Sequence, residues 1–187
     1  LSTNKTTEKD LIDPLLGGRL LTGQLVTELV DPHTDPLGPG NALVFAAGPL
    51  AGRRASTGGR LSIGGKSPLT GGIKEANAGG MAGDSLAVLG YQVLAVTGVS
   101  PNADPVIAIL DENGFQVVAA TQYWGLDNEA LVNGLYQDFS KNYVIISIGT
   151  GGEQQLKAAG IAVTDEQGQP FRLAARGGLG AVMGAKG

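Results

Sequence analysis

Short apolar runs separated by glycine, proline and polar residues make up most of the chain. The runs Ala42–Ala47 (ALVFAA) and Tyr143–Ile148 (YVIISI) are bounded by turn residues, a pattern typical of buried strands. Asn113-Gly114 lies between the apolar runs Val106–Asp111 and Phe115–Ala119, which predicts a β-hairpin. Four further short strands are predicted at Leu61–Gly65, Ile73–Asn77, Tyr91–Thr97 and Ile161–Thr164.

Apolar residues at helical spacing predict a few short helices rather than a bundle. Asp13-Pro14 and Asp127 have the residue types that begin helices, so both are candidate N-terminal caps. Paired strands with few helices favour an α+β fold with mostly antiparallel sheets over a doubly wound parallel sheet. The predicted helices cover Leu20–Val30, Met81–Leu89 and Asn128–Phe139, with shorter ones ending at Lys157 and beginning near Leu179.

Two glycine-rich segments resemble each other across half of the chain. Asn77–Gly83 (NAGGMAG) resembles Ala175–Ala181 (ARGGLGA), with Gly79 and Gly177 in matching places. Upstream of each lies a buried strand that runs into glycine. A duplication that placed two similar halves around a pseudo-twofold axis would explain both features. Chance resemblance between glycine-rich segments is the alternative.

Composition limits the classes of function. The 187 residues fit one domain, and 42% hydrophobic with 16% charged residues is typical of a globular protein. A net charge of -4 argues against a nucleic-acid or membrane-surface partner, which needs a basic excess. The chain contains no cysteine and one histidine, His33. Zinc or iron–sulfur centres held by thiolates of this chain are therefore excluded.

Arginines stand next to glycines in two segments, Ala55–Gly83 and Phe171–Gly187. Arg60 follows Thr57-Gly58-Gly59, and Arg172 and Arg176 precede Gly177-Gly178. Glycine lets the backbone approach a ligand closely, and a guanidinium group offers a forked donor to phosphate or carboxylate. We expect the two segments to face one anionic, polycyclic ligand from two sides.

Two other glycine loops resemble nucleotide-binding motifs only in part, and the first of them is rejected as a P-loop. Arg60–Ser67 (RLSIGGKS) lacks the first glycine of a phosphate-binding P-loop, and Pro68 stands where the helix should continue. The second loop, Gly149–Gly152, follows a predicted strand, but Gln154 occupies the third glycine position of a dinucleotide fingerprint. A nucleotide-binding α/β domain that uses this second loop remains an alternative.

Five segments in order, AAGPLAG, STGGR, KSPLTGG, NAGG and ARGGLGAVMGAKG, carry a family resemblance. From about Leu15 to Gly187 the chain resembles the N-terminal domain of the aldehyde ferredoxin oxidoreductases, enzymes with a tungsten bis-pterin cofactor. The resemblance implies two antiparallel sheets, related by pseudo-twofold symmetry, that form a saddle under the pterins.

The same resemblance implies site residues. Arg60 and Arg172 match the arginines that hold the pterin phosphates. A magnesium ion that joins the phosphates would take backbone carbonyls of Asn77 and Leu173. Further pterin contacts are implied at Gly79, Ala175 and Arg176. Leu173 and Ala175 replace the smaller residues usual at these positions, which matters most for a close pterin approach at Ala175.

The resemblance also implies an enzyme longer than this chain. Residues 1–187 are then expected to form the tungstopterin-binding domain, inactive alone, with tungsten or molybdenum as the metal. The remaining domains would carry the 4Fe-4S cluster and the acid–base residues, oxidise an aldehyde to a carboxylic acid and reduce ferredoxin. We expect the enzyme to act in the cytoplasm under anaerobic conditions, without nucleic-acid or membrane partners. A homo-oligomer is compatible with the resemblance. A non-catalytic interaction module is a further alternative.

Overall fold

The computed structural model describes residues 5–10, 13, 15–101 and 104–187 as an α+β fold. All of the strand pairs in this part of the chain are antiparallel. The helices are α1 (Gly18–Leu29), α2 (Ala82–Val88), α3 (Asn128–Asp138), α4 (Thr150–Glu153) and α5 (Leu179–Gly184). The strands are β1 (Ala42–Ala47), β2 (Leu61–Lys66), β3 (Ile73–Ala78), β4 (Val93–Thr97), β5 (Val106–Asp111), β6 (Gly114–Ala119), β7 (Ile146–Ser147), β8 (Ile161–Val163) and β9 (Arg172–Ala174).

The largest sheet has the strand order β3-β2-β1-β4. Every residue of β1 is buried, because the sheet is covered on both faces. Leu43 and Phe45 point into the main core, whereas Ala42 and Val44 pack with Val26 of α1. An uninterrupted apolar run is what a strand covered on both faces requires, which explains why this strand was predictable to the residue.

The other two sheets are small. Strands β5 and β6 form the hairpin predicted from Asn113-Gly114, and β7-β8-β9 form a three-stranded sheet. The prediction of two sheets thus needs correction, because the described residues form three hydrogen-bonded sheets. The predicted α+β class with antiparallel sheets and a few short helices is confirmed.

The order of the elements repeats in the two halves of the chain. The first half runs α1-β1-β2-β3-α2, and the second half runs α3-β7-β8-β9-α5 with α4 inserted after β7. In each half the three strands pair in sequence order. This repeat favours the hypothesis of a duplication over a chance resemblance between the glycine-rich segments.

Strand β7 and helix α4 are shorter than predicted, each for a visible reason. Strand β7 covers only Ile146–Ser147, because the amide of Ile145 bonds to the Thr164 hydroxyl instead of a strand backbone. Helix α4 ends at Glu153, since Gln155 adopts a left-handed φ of 55°. The carboxylate of Asp127 caps α3 by accepting from the amide of Ala130, as predicted.

The candidate cap Asp13-Pro14 falls partly outside the described residues. Helix α1 begins at Gly18, after Gly17 as its N-terminal cap residue. Within the described ranges, the helices are too short and too polar for any of them to cross a membrane.

Lys186 ties the end of α5 to the largest sheet. Its side chain is buried, and Nζ donates to the carbonyl oxygens of Asn41 and Gly98 at 2.6 and 2.9 Å. These carbonyls lie beside the start of β1 and the end of β4. Burial lowers the pKa of Lys186 from 10.5 to about 8.

Candidate functional site

Arg60 and Asn77 meet where β2 begins and β3 ends. The register of the two strands pairs Leu61 with Ala78 and Ser62 with Asn77, so the residue before β2 lies beside the last residues of β3. The Nε atom of Arg60 donates a hydrogen bond to Oδ1 of Asn77. Asn77 therefore orients the guanidinium group of Arg60.

Arg172 reaches the same place from the second half of the chain. It begins β9, where it pairs with Val163 of β8. A Cβ atom placed on Gly79 would lie 3.7 Å from Cδ of Arg172 and 3.9 Å from Nη1 of Arg60. The two arginines thus flank Gly79 from opposite halves of the chain.

Gly80 lets the two halves approach closely at this point. Its φ is +91°, and a Cβ there would lie 2.5 Å from the carbonyl oxygen of Thr164 and 3.4 Å from Cγ of Arg172. Any L side chain would be strained by the backbone and blocked by Thr164. Glycine is required for β3 and the segment after β8 to meet here.

Neither arginine of the pair forms an ion pair with a carboxylate of the described residues. Arg60 and Arg172 are both exposed. The salt bridge found among the described residues, Arg19 with Glu75, involves neither of them. Two exposed guanidinium groups beside a glycine backbone can bind an anion such as phosphate by charge-assisted hydrogen bonds. We call Arg60, Asn77, Gly79 and Arg172 the arginine cluster.

The other three predicted site residues continue along the chain from Arg172. Leu173 pairs with Ala162, and its side chain is 58% exposed. Ala175 is exposed and lies against Gly160. Arg176 is exposed and precedes Gly177, whose near neighbours are Lys74 and Ser67 rather than members of the arginine cluster.

A divalent metal ion would have to rely on backbone oxygens. Among the described residues there is no group of three or more His, Cys, Asp or Glu side chains that could hold one. The carbonyls of Asn77 and Leu173, suggested by the resemblance, are oxygen donors of the kind that magnesium prefers. Their role stays a prediction.

Close packing accounts for glycine at Gly152 of the loop Gly149–Gly152. The amides of Gly152 and Glu153 donate to the carbonyl of Gly149 at 2.8 and 3.2 Å, so they do not point at a ligand. A Cβ on Gly184 of α5 would lie 2.0 Å from the carbonyl oxygen of Gly152. These glycines permit backbone-to-backbone contact between α4 and α5.

Sequence reasoning missed two polar residues that hold the glycine segments in place. Asp84 accepts a hydrogen bond from the amide of Gly52 at 2.6 Å. Ser67, fully buried, donates to the carbonyl of Gly177 at 2.6 Å. No local signal identifies them, because each acts on a residue at least 32 positions away in the sequence.

Fold and site together define an α+β domain in which two exposed arginines, one from each of two similar halves, flank one glycine. The whole chain, residues 1–187, matches the family "Aldehyde ferredoxin oxidoreductase, N-terminal domain". The chain belongs to this family, so the resemblance seen in the sequence is confirmed.

Two relatives resemble the chain over nearly all of its length. It is 38% identical over 182 residues to a tungsten-containing aldehyde ferredoxin oxidoreductase of Pyrococcus furiosus, covering 96% of this chain and 29% of that protein. The protein of the same description from Thermococcus kodakarensis is 36% identical over 179 residues, covering 95% and 28%. The chain thus spans less than a third of the length of these relatives.

A solved structure shares the fold. The active site complex BamBC of benzoyl coenzyme A reductase, in complex with 1,5-dienoyl-CoA, superimposes with a TM-score of 0.86 at 27% sequence identity. The match covers 96% of this chain and 27% of that chain.

Proposed function

We propose that this chain binds a tungsten bis-pterin cofactor through its phosphate groups, as one domain of an aldehyde-oxidising enzyme. The observation that carries the proposal is the convergence of Arg60 and Arg172 on Gly79 without a carboxylate partner among the described residues. Family membership supports it, as do the relatives described as tungsten-containing.

The residues of the arginine cluster fit such a cofactor. Each guanidinium group can form two parallel hydrogen bonds to phosphate oxygens, and Asn77 fixes the direction of Arg60. Because Gly79 has no side chain, space is left between the side chains of Arg60 and Arg172. A methyl group at this position would partly fill that space. Asn77 and Leu173 would add backbone carbonyls for a magnesium ion between the phosphates. Bound tungsten would supply the redox chemistry, and this domain would hold and orient its carrier.

The remaining steps belong to other parts of the enzyme. An aldehyde would be oxidised to a carboxylic acid, and electrons would pass through a 4Fe-4S cluster to ferredoxin. This chain has no cysteine, so cluster ligands must come from elsewhere. The structural neighbour comes from a reductase of a coenzyme A thioester, which supports the view that this domain does not select the substrate.

Metal and pterin analysis of the full-length protein tests the proposal. We expect Arg60→Ala combined with Arg172→Ala to remove most of the bound tungsten and pterin, because two charge-assisted phosphate contacts are lost. Arg19→Ala is the matched control: it removes an exposed arginine that is already paired with Glu75. We expect it to retain the cofactor.

Two results would contradict the proposal. A full-length protein that contains neither tungsten nor pterin after anaerobic purification would exclude the cofactor. A double arginine variant that keeps its normal cofactor content and activity would favour a non-catalytic or differently bound role for the arginine cluster. Nucleotide binding would instead be indicated by thermal protection with nucleotide that Gly151→Val abolishes.

A further inference from the structure

The loop between β1 and β2 presents Arg60 to the arginine cluster, and its backbone is under strain. Arg54 and Thr57 adopt left-handed φ angles of 56° and 60°, and Gly52 adopts 72°. Non-glycine residues avoid this region unless surrounding contacts hold them there. The loop from Gly48 to Gly59 must therefore be held by a neighbouring element.

Helix α2 is that element, and its first turn contacts both ends of the strained segment. Oδ1 of Asp84 accepts a 2.6 Å hydrogen bond from the amide of Gly52. Oδ2 of Asp84 lies where a side chain on Gly59 would be, 2.0 Å from the position of a Cβ atom. One carboxylate thus contacts the loop at Gly52 and again at Gly59, directly before Arg60.

Backbone packing beside Asp84 brings the helix close to Arg60 itself. A Cβ on Gly83 would lie 2.5 Å from the carbonyl oxygen of Gly59 and 2.9 Å from that of Arg60. Gly83 therefore lets the helix rest on the peptide units around Arg60. The carboxylate of the next residue then fixes the loop to the helix.

We propose that Asp84 is a positioning residue that holds the loop from Gly48 to Gly59 and thereby fixes Arg60 for anion binding. Its effect on the cofactor rests on the proposed function, whereas its effect on the loop does not. Asp84 acts through the backbone: its carboxylate restrains Gly52 and Gly59, and Arg60 follows Gly59 directly.

Hydrogen–deuterium exchange of the full-length protein, measured with and without cofactor, tests the loop. Asp84→Ala should raise the exchange rate of the Gly52 amide, and of the segment 50–60 that contains it, by about three- to tenfold, the range expected for one lost hydrogen bond. Asp84→Asn keeps an oxygen acceptor for Gly52 and should restore most of the protection. Glu129→Ala is the matched control, because Glu129 is likewise an acidic residue in the first turn of a helix and is exposed.

A double-mutant cycle with Arg60 tests the link to the cofactor. Asp84→Ala should lower retained pterin by about the same three- to tenfold factor. Added to Arg60→Ala, it should have no further effect, since a residue that acts only through Arg60 has nothing left to position. A merely structural role would instead lower retention in both backgrounds alike.

The outcomes separate this proposal from the proposed function. Unchanged exchange over 50–60 in Asp84→Ala, or an Asp84→Asn variant as mobile as Asp84→Ala, would overturn the role of Asp84 whatever the cofactor does. Independent, multiplying losses of pterin would overturn its action through Arg60. If Arg60→Ala leaves the pterin content unchanged, the proposed function fails, and the exchange result still decides the loop contact.

Discussion

The two glycine pairs, Gly79-Gly80 after β3 and Gly177-Gly178 after β9, have similar sequences and different surroundings. The second glycine of each pair is left-handed, with φ of 91° at Gly80 and 69° at Gly178. The first glycines differ: Gly177 is left-handed with φ of 72°, and Gly79 is outside the left-handed region. Gly79 is also partly exposed, whereas Gly177 and Gly178 are buried.

Their neighbours differ in the same way. A Cβ on Gly79 would meet flexible arginine side chains at ordinary contact distance. One on Gly177 would lie 2.7 Å from Cβ of Lys74, and one on Gly178 would lie 1.9 Å from the carbonyl oxygen of Lys157. The difference continues at the next residue, where Met81 is 36% exposed and the matching Leu179 is fully buried.

Similar local sequences have thus taken two roles. The first glycine pair lies open beside the arginine cluster, where a ligand can reach it. The second joins β9 to a helix buried within the core. We infer that ligand contacts constrain the first pair more, and packing constrains the second more.

The largest expected effect is that of Gly178→Ala. The added methyl group would overlap the Lys157 carbonyl, and alanine is strained at a φ of +69°. We expect a loss of about 3 kcal/mol or more in the free energy of unfolding, visible as insoluble protein or a much lower thermal midpoint. Normal stability of the variant would show that the packing of Gly178 against Lys157 can adjust to a methyl group.

Ser67→Ala should have the next largest effect. The Ser67 hydroxyl donates to the Gly177 carbonyl and accepts from the amides of Leu69 and Thr70. Its loss leaves a buried carbonyl without this donor, which costs about 2 kcal/mol. Chemical denaturation measures this loss. Ser140→Ala is the control, because Ser140 is only half-buried and its hydroxyl likewise accepts from a backbone amide two positions further on. An equal loss in both variants would contradict the linking role of Ser67.

Lys186, just beyond the end of the buried helix α5, should make the free energy of unfolding depend on pH. Its folded pKa of about 8 lies below the unfolded value of 10.5, so the unfolded chain binds more protons between these values. Stability should therefore rise with pH above pH 8. Thermal midpoints at pH 7.5 and 9.5 should differ by about 3 °C, a shift that corresponds to roughly 1 kcal/mol.

Lys186→Met provides the control for this pH dependence. The variant has no amine to titrate, so its thermal midpoint should change less over the same pH range. The matching position in the first half, Val88, is 75% exposed and has no such group. An identical pH dependence in wild type and variant would assign the effect to other residues.

Gly79→Ala should have the smallest effect on stability. Its Cβ would find ordinary contacts and no left-handed strain, so we expect a change below about 0.5 kcal/mol. The variant should nevertheless bind less pterin, because the methyl group enters the space between Arg60 and Arg172. Gly177→Ala, the matching change in the second half, should show the reverse: lower stability at its crowded site.

Local patterns predicted most of the elements and drew attention to Arg60 and Arg172, whereas Asn77 and Gly79 entered the candidate site only through the family resemblance. The apolar run of β1, the Asn-Gly turn of the hairpin and the Asp127 cap each depend on neighbours along the chain. Strand β9 was missed, because the three residues Arg172–Ala174 have no recognisable alternation of their own. The roles of Arg60 and Arg172 came from the family resemblance and remain to be tested.

Sequence alone determined that arginines accompany glycines in two related segments, and it identified the family. Only the tertiary structure decided that Arg60 and Arg172 flank one glycine, that Asp84 holds the loop before Arg60, and that the two glycine pairs differ in burial. The physical reason is distance along the chain. A turn or a strand is set by adjacent residues, whereas contacts between residues 19 to 93 positions apart form only when the sheets and helices pack.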